Sequence, residues 1–179
     1  MNTFLEARNF LLTRRADYGA AYAGFEWPRL DRFNWALDYF DVQALGNDRL
    51  ALWIVNEQGQ EWKLSFAEIS ERSNRVANFL RAKGVRRYDR VLVMLPNVPA
   101  LWEISRAAMK LGAVISPATV LLSKADLADR VQRGEIAHVI TDRAGSAKCA
   151  ELPARSTRIV VGADVTGWIP YSEADGADA

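Results

Sequence analysis

Five consecutive apolar residues, Val91-Leu-Val-Met-Leu95, leave no polar face, and this run restricts the fold more than any other feature of the chain. A strand wetted on one side alternates apolar and polar positions, whereas one covered on both sides belongs to a parallel sheet with helices on each face. The residues that follow keep to that plan. The pattern predicts a helix over about Pro99 to Leu111, a strand over Ala113 to Ser116, a helix over about Lys124 to Arg133 and a strand over His138 to Thr141. A further strand, Arg158 to Val161, follows a loop containing Gly145 and Pro153. Gly112 and Gly134 stand where the helices stop, Pro117 closes a strand, and Ser123 with Asp126 can open the next helix. Strands alternating with helices at this spacing imply right-handed crossovers. The fold class is therefore α/β, an open, mostly parallel sheet with flanking helices.

Upstream the period changes. Ala51–Val55 and Glu61–Leu64 are β-prone runs joined by Asn56-Glu-Gln-Gly59, which predicts an N-terminal β-hairpin. Ser65-Phe-Ala-Glu68 has the spacing of a capping box, and Phe66, Ile69, Val76, Ala77 and Leu80 then form one helical stripe that runs to Gly84. Thr3 and Glu6 precede Phe4, Ala7, Leu11 and Leu12 at the spacing of a short amphipathic helix. Tyr18 to Arg32, with Gly19, Gly24 and Pro28, shows no clean period, while Asn34 to Phe40 again looks helical. The expected organisation is a helical lead-in over residues 1–48, an incomplete α/β part over 49–170 and a frayed tail over 171–179, acidic and rich in alanine and glycine.

Composition narrows the function classes. A chain of 179 residues suits one domain, and 23 basic against 22 acidic side chains leave a net charge of +1, too little for a field that recruits nucleic acid or an anionic membrane. The longest apolar stretches are about five residues, where a membrane span needs about 20. One cysteine, Cys149, and one histidine, His138, exclude an intramolecular disulfide and a Cys/His metal cluster, which points to a reducing, cytoplasmic compartment. Arg8, Arg14 and Arg15 would suit a transit peptide, but Glu6 and Asp17 lie among them and serine is absent there.

The usual chemical signatures are missing. Neither G-x-G-x-x-G nor G-x-x-x-x-G-K-[ST] occurs, and Thr166-Gly167 has no neighbouring lysine or second glycine. His138, between Ala137 and Val139, reads as a structural histidine rather than a base, and Cys149, beside Lys148, is a weakly motivated nucleophile. The six tryptophans read as packing residues, with ligand stacking as the lesser alternative. Arg143, Lys148 and Arg155 gather after the strand ending at Asp142, on the carboxyl side where open α/β sheets hold ligands. Both a solvated loop and a phosphate contact fit them. No catalytic residue and no metal ligand is assigned.

Leu64-Ser-Phe-Ala-Glu-Ile69 resembles the first shared motif of the adenylate-forming superfamily, and Met109-Lys-Leu-Gly-Ala-Val-Ile-Ser-Pro117 is similar to its second. Gly84-Val85, Asp89-Arg-Val91 and Leu95-Pro-Asn97 fall between them in the family's order, and Asn34-Trp-Ala-Leu-Asp-Tyr-Phe-Asp41 looks most like the opening of medium-chain acyl-CoA synthetases. The likeness covers about residues 30 to 145. It implies part of the N-terminal domain of an ATP-dependent, AMP-forming enzyme that joins a carboxylic acid, such as a fatty acid, to coenzyme A through an acyl-adenylate, with Mg²⁺ as the metal of the whole enzyme. It also implies that the loop Val120-Leu121-Leu122, with Arg143 and Lys148, lies near the coenzyme A nucleotide. The family's Thr/Ser-Gly-rich phosphate loop, its Tyr-Gly-x-Thr-Glu segment and its catalytic lysine have no counterpart in these residues.

Two functions from different classes follow. In the first, the chain is an N-terminal fragment of the acid:CoA ligase, inactive by itself. In the second, it is a non-catalytic interaction or ligand-binding module that self-associates through an incomplete sheet. A nucleotide-binding oxidoreductase is disfavoured by the missing glycine fingerprint.

Overall fold

The computed structural model describes residues 3–152 and 157–179. Two compact units emerge, residues 1–33 and Asn34–Ala179, so the division falls earlier than the expected 48/49 boundary. In the first unit, helix α1 (Phe4–Thr13) starts at the expected capping box of Thr3 and Glu6. The stretch without a period holds a second helix, α2 (Tyr18–Gly24), whose start is capped by the Asp17 carboxylate accepting the Ala20 N–H at 2.9 Å. Its two glycines hid it from a periodicity reading.

The second unit opens with a π-helical turn, Trp35–Phe40, running into α3 (Asp41–Ala44). It packs against the hairpin and the helix after it, because Phe40 and Ala44 share a buried cluster with Leu64 and Ile69. That contact is why residues 34–48 belong with the α/β part. Strands β1 (Leu50–Val55) and β2 (Glu61–Ser65) form the predicted antiparallel hairpin, with Gly59 at φ 77° in its turn. Helix α4 (Phe66–Ala82) follows from the Ser65/Glu68 capping box, and the bonds to the helix start hold the Glu68 carboxyl below its ordinary range.

Strands β3 (Arg90–Met94), β4 (Val114–Pro117), β5 (His138–Asp142), β6 (Thr157–Val161) and β7 (Ile169–Pro170) make one wholly parallel sheet in the order β4-β3-β5-β6-β7. Its two faces bear out the double burial read from Val91–Leu95. Val91, Val93 and Leu95 pack with Leu80, Ile104 and Ala107 of α4 and α5 (Pro99–Leu111), whereas Leu92 and Met94 pack with Leu127 and Val131 of α6 (Lys124–Arg133).

Gly112 ends α5 at φ 68°, as a helix C-terminus requires. Gly134 ends α6 as expected, but without the left-handed conformation. Its φ is −78°, Glu135 takes the left-handed conformation at φ 45°, and Gly134 is needed because a Cβ there would lie 2.7 Å from the Arg130 carbonyl oxygen.

Two further expectations change. The loop after β5 contains a short helix, α7 (Arg143–Lys148), capped by Asp142. Residues 171–176 form a 3₁₀ turn rather than a frayed tail, because Ala174 and Tyr171 pack on the α4/α5 side of the core. Of the tryptophans, Trp168 is buried, but Trp27, Trp35, Trp53 and Trp102 are exposed. Trp53 and Trp102 have polar neighbours, whereas Trp35 lies against Tyr39 and Phe40. Lys63 covers the Trp53 ring at 4.5 Å, and the Trp102 indole N–H donates to Asn97 at 2.9 Å.

Candidate functional site

All five strands are parallel, so their carboxyl ends share one edge of the sheet. Strand β3 has β4 on one side and β5 on the other, and helices α5 and α6 lie on opposite faces. The winding therefore reverses between β3 and β5. Ligands of open α/β sheets bind outside the carboxyl ends at such a reversal.

Helix α7 begins there, pressed against the sheet by Gly145. A Cβ at this position would lie 1.8 Å from Thr141 Oγ1 and 2.7 Å from Met94 Cε, so only glycine allows the approach. Thr141 is itself fixed, its hydroxyl donating to the Met94 carbonyl at 2.8 Å. From this position α7 reaches two loops. Lys148 Nζ donates to the carbonyls of Val120 at 2.6 Å and Leu122 at 3.2 Å, in the loop after β4. Arg143, at the other end of α7, donates to the Asp164 carbonyl at 3.1 Å, in the loop after β6.

Of the five residues singled out in the sequence, Lys148, Val120 and Leu122 are brought into contact. Leu121 stands between them with its side chain 85% exposed, and Arg143 is bound to a different loop. Lys148 thus spends two of its three N–H donors on backbone, a use that no sequence pattern announces. Arg155 and Pro153 lie outside the described residues. Cys149 is buried, and burial pushes its thiol up against the opposing pull of Arg158 and Lys148, which leaves it a poor nucleophile. His138 lies in the core with its Nε2 3.2 Å from Asp89, away from the carboxyl edge.

Two polar constellations escaped the sequence reading. Lys110 has a side chain only 4% exposed and meets Asp41 Oδ2 at 2.9 Å, Asn74 Oδ1 at 2.6 Å and the Ser70 carbonyl at 3.2 Å, while the Ser70 hydroxyl donates to Asp41 Oδ1 at 2.7 Å. Burial lowers the Lys110 ammonium below its ordinary value, with Asp41 acting against that shift. Asn34 adds a bond from its amide to the Met109 carbonyl at 2.7 Å. The segments 34–41 and 109–117, which carry part of the family resemblance, therefore meet in one network through Ser70 and Asn74, just beyond the resembling segment 64–69. The second constellation is Glu103, 7% exposed, whose carboxylate accepts the Tyr171 hydroxyl at 2.6 Å and faces Arg72 at 3.4 Å. Burial, then Glu103, drives the Tyr171 hydroxyl upward, so it remains neutral and donates. The clue in the sequence was a glutamate on the apolar stripe of Ala100, Ile104 and Ala107.

Comparison with known proteins gives this geometry a context. The family model described as "AMP-binding enzyme" matches residues 40–178. Mouse "Acyl-coenzyme A synthetase ACSM4, mitochondrial" is 32% identical over 160 residues, covering 83% of this chain and 28% of that protein. Human "Acyl-coenzyme A synthetase ACSM1, mitochondrial" is 30% identical over 169 residues, covering 87% and 29%. The chain thus spans under a third of the length of these relatives. Brucella canis acyl-CoA synthetase superposes on 100% of the chain and 33% of its own with a TM-score of 0.77 at 22% identity. Acetoacetyl-CoA synthetase from Streptomyces lividans covers 87% of this chain and 27% of its own with a TM-score of 0.75 at 24% identity. These superpositions show a shared fold.

Proposed function

The chain belongs to the AMP-binding enzyme family, and from that membership we propose that it supplies the N-terminal part of an ATP-dependent ligase joining a carboxylic acid to coenzyme A. In that reaction the acid's carboxylate attacks the α-phosphorus of ATP and pyrophosphate leaves. The thiol of coenzyme A then displaces AMP from the acyl-adenylate. The observation that carries the reading is the family match across residues 40–178, within which Asp41, Ser70 and Lys110 form one buried framework.

Coenzyme A is assigned to that edge. Lys148 holds the Val120–Leu122 loop in shape, Leu121 offers an exposed apolar contact, and Arg143 is the guanidinium available to a nucleotide phosphate. ATP and Mg²⁺ require the phosphate loop that residues 1–179 do not contain, so by themselves these residues do not adenylate. We assign the cytosol as compartment on the strength of the lone reduced Cys149, although the mouse and human relatives are named as mitochondrial. No helix among the described residues is long and apolar enough to cross a membrane.

The test is product analysis. Extended along its own gene to the length of its relatives, the protein is expected to form AMP and pyrophosphate from ATP only when a carboxylic acid is supplied. Formation of ADP and phosphate, or ATP turnover indifferent to added acid, would contradict the assignment. The second reading, a ligand-binding or interaction module that self-associates, draws on the edge position of β4, where Val114 is 49% exposed.

A further inference from the structure

Trp102, Arg106 and Met109 follow one another at helical spacing along one stripe of α5. Trp102 and Met109 are exposed and Arg106 is half-buried. The π-helical turn lies alongside this stripe. The Asn34 amide donates to the Met109 carbonyl at 2.7 Å, the Arg106 guanidinium stands 4.8 Å over the Phe40 ring and 5.8 Å from the Trp102 ring, and the exposed Trp35 packs on Phe40 at 5.6 Å. Tryptophan, methionine and arginine are the residue types that concentrate at the centres of protein interfaces.

The patch also holds two unused charges. Among the described residues Arg106 makes one hydrogen bond, from Nη1 to the Trp102 carbonyl at 3.1 Å, which leaves most of its five N–H donors without an acceptor, the one on the buried Nε included. Asp38, exposed in the π-helical turn, accepts the Asn34 N–H at Oδ2 at 2.6 Å and keeps Oδ1 open, and among the described residues it forms no ion pair with Arg106. A two-fold interface uses the same patch on both subunits, so that patch must carry both members of any ion pair that crosses it. This one does.

From this arrangement we infer that the face made by α5 and the π-helical turn takes a second copy of this chain. Arg106 of each copy donates to the partner's Asp38 across a two-fold axis, and Trp35, Trp102 and Met109 pack between them. A planar guanidinium and a carboxylate are matched in geometry as well as in charge. The edge of β4 is the poorer route for a second copy. Pro117 brings no N–H to that edge, its carbonyl is taken by Arg130 at 3.0 Å, and the Ala113 N–H is spent on the Ala108 carbonyl at 2.9 Å. The inference does not depend on the coenzyme A assignment.

Sedimentation velocity of the 179-residue chain is expected to show a reversible equilibrium of monomer and dimer, with a Kd of about 10 µM. Arg106→Asp and Asp38→Arg each set like charges opposite one another, and each should weaken self-association at least about tenfold. Mixed in equal amounts, the two variants restore both opposite-charge pairs in a heterodimer, which should form about as tightly as the parent dimer. A merely structural role for either residue would give no such rescue. Trp102→Ala leaves both charges in place and should weaken the dimer about tenfold or more, so it decides the matter if a charge variant does not fold. A parent chain still monomeric at about 200 µM, self-association unchanged in Trp102→Ala, or folded charge variants that do not associate on mixing would each overturn the inference, and the first would leave the face to another occupant, such as the remainder of a longer chain.

Discussion

Asp41→Ala is expected to lower folding stability by about 3–5 kcal/mol, the range for removing one partner of a buried ion pair. Asp41 is the charged partner of Lys110, whose ammonium is almost wholly removed from water and is otherwise met by an amide oxygen and a carbonyl. Without the carboxylate, the positive charge stays buried among neutral acceptors, and the Ser70 hydroxyl loses its acceptor as well. The loss should be read from the urea midpoint of the 179-residue chain. Adding Lys110→Met to Asp41→Ala should recover a large part of it, because the double change removes the stranded charge and fills its space with an apolar chain of similar length. A single variant within about 0.5 kcal/mol of the parent, the usual range of surface changes, would mean that the network contributes nothing to folding.

Gly145→Ala acts by geometry instead of charge. Its new methyl would fall 1.8 Å from Thr141 Oγ1 and 3.0 Å from Thr141 Cβ, in a region where Thr141 is fully buried and Met94 closes the other side. Backbone or strand must move, at a cost of about 1–3 kcal/mol typical of overpacking, and helix α7 should separate from β5. The check is thermal and urea unfolding of Gly145→Ala alone and with Thr141→Ala. Removing Oγ1 relieves the closest contact, so the double variant should lose less than the sum of the two single losses. Strict additivity would show that α7 accommodates the methyl without meeting Thr141.

These two sites mark what could and could not be read from the residues. The strands and the long helices α4, α5 and α6 were legible because burial on both faces, stripes at helical spacing and capping boxes are local signals. Helices α2 and α7 and the 3₁₀ turn at 171–176 are short, and their formation depends on contacts distant in sequence, such as Tyr171 with Glu103. The Asp41–Lys110 pair was invisible for the same reason, since each residue alone reads as a surface charge. The resembling segments did point to the right part of the chain. What they encode in these residues is the buried junction of α3, α4 and α5. At the carboxyl edge, the resemblance implied that Lys148 and the Val120–Leu122 loop lie near one nucleotide, but sequence could not say that the Lys148 donors are aimed at that loop's carbonyls.

Titration calorimetry of the 179-residue chain with coenzyme A, in the absence of ATP, tests most directly whether the carboxyl edge is a coenzyme site. The account predicts a single saturable heat for coenzyme A, a loss of about tenfold or more on Arg143→Gln, the scale of one charge-assisted hydrogen bond, and no heat for ATP with Mg²⁺. Absence of coenzyme A binding, or binding that Arg143→Gln leaves unchanged, would contradict it.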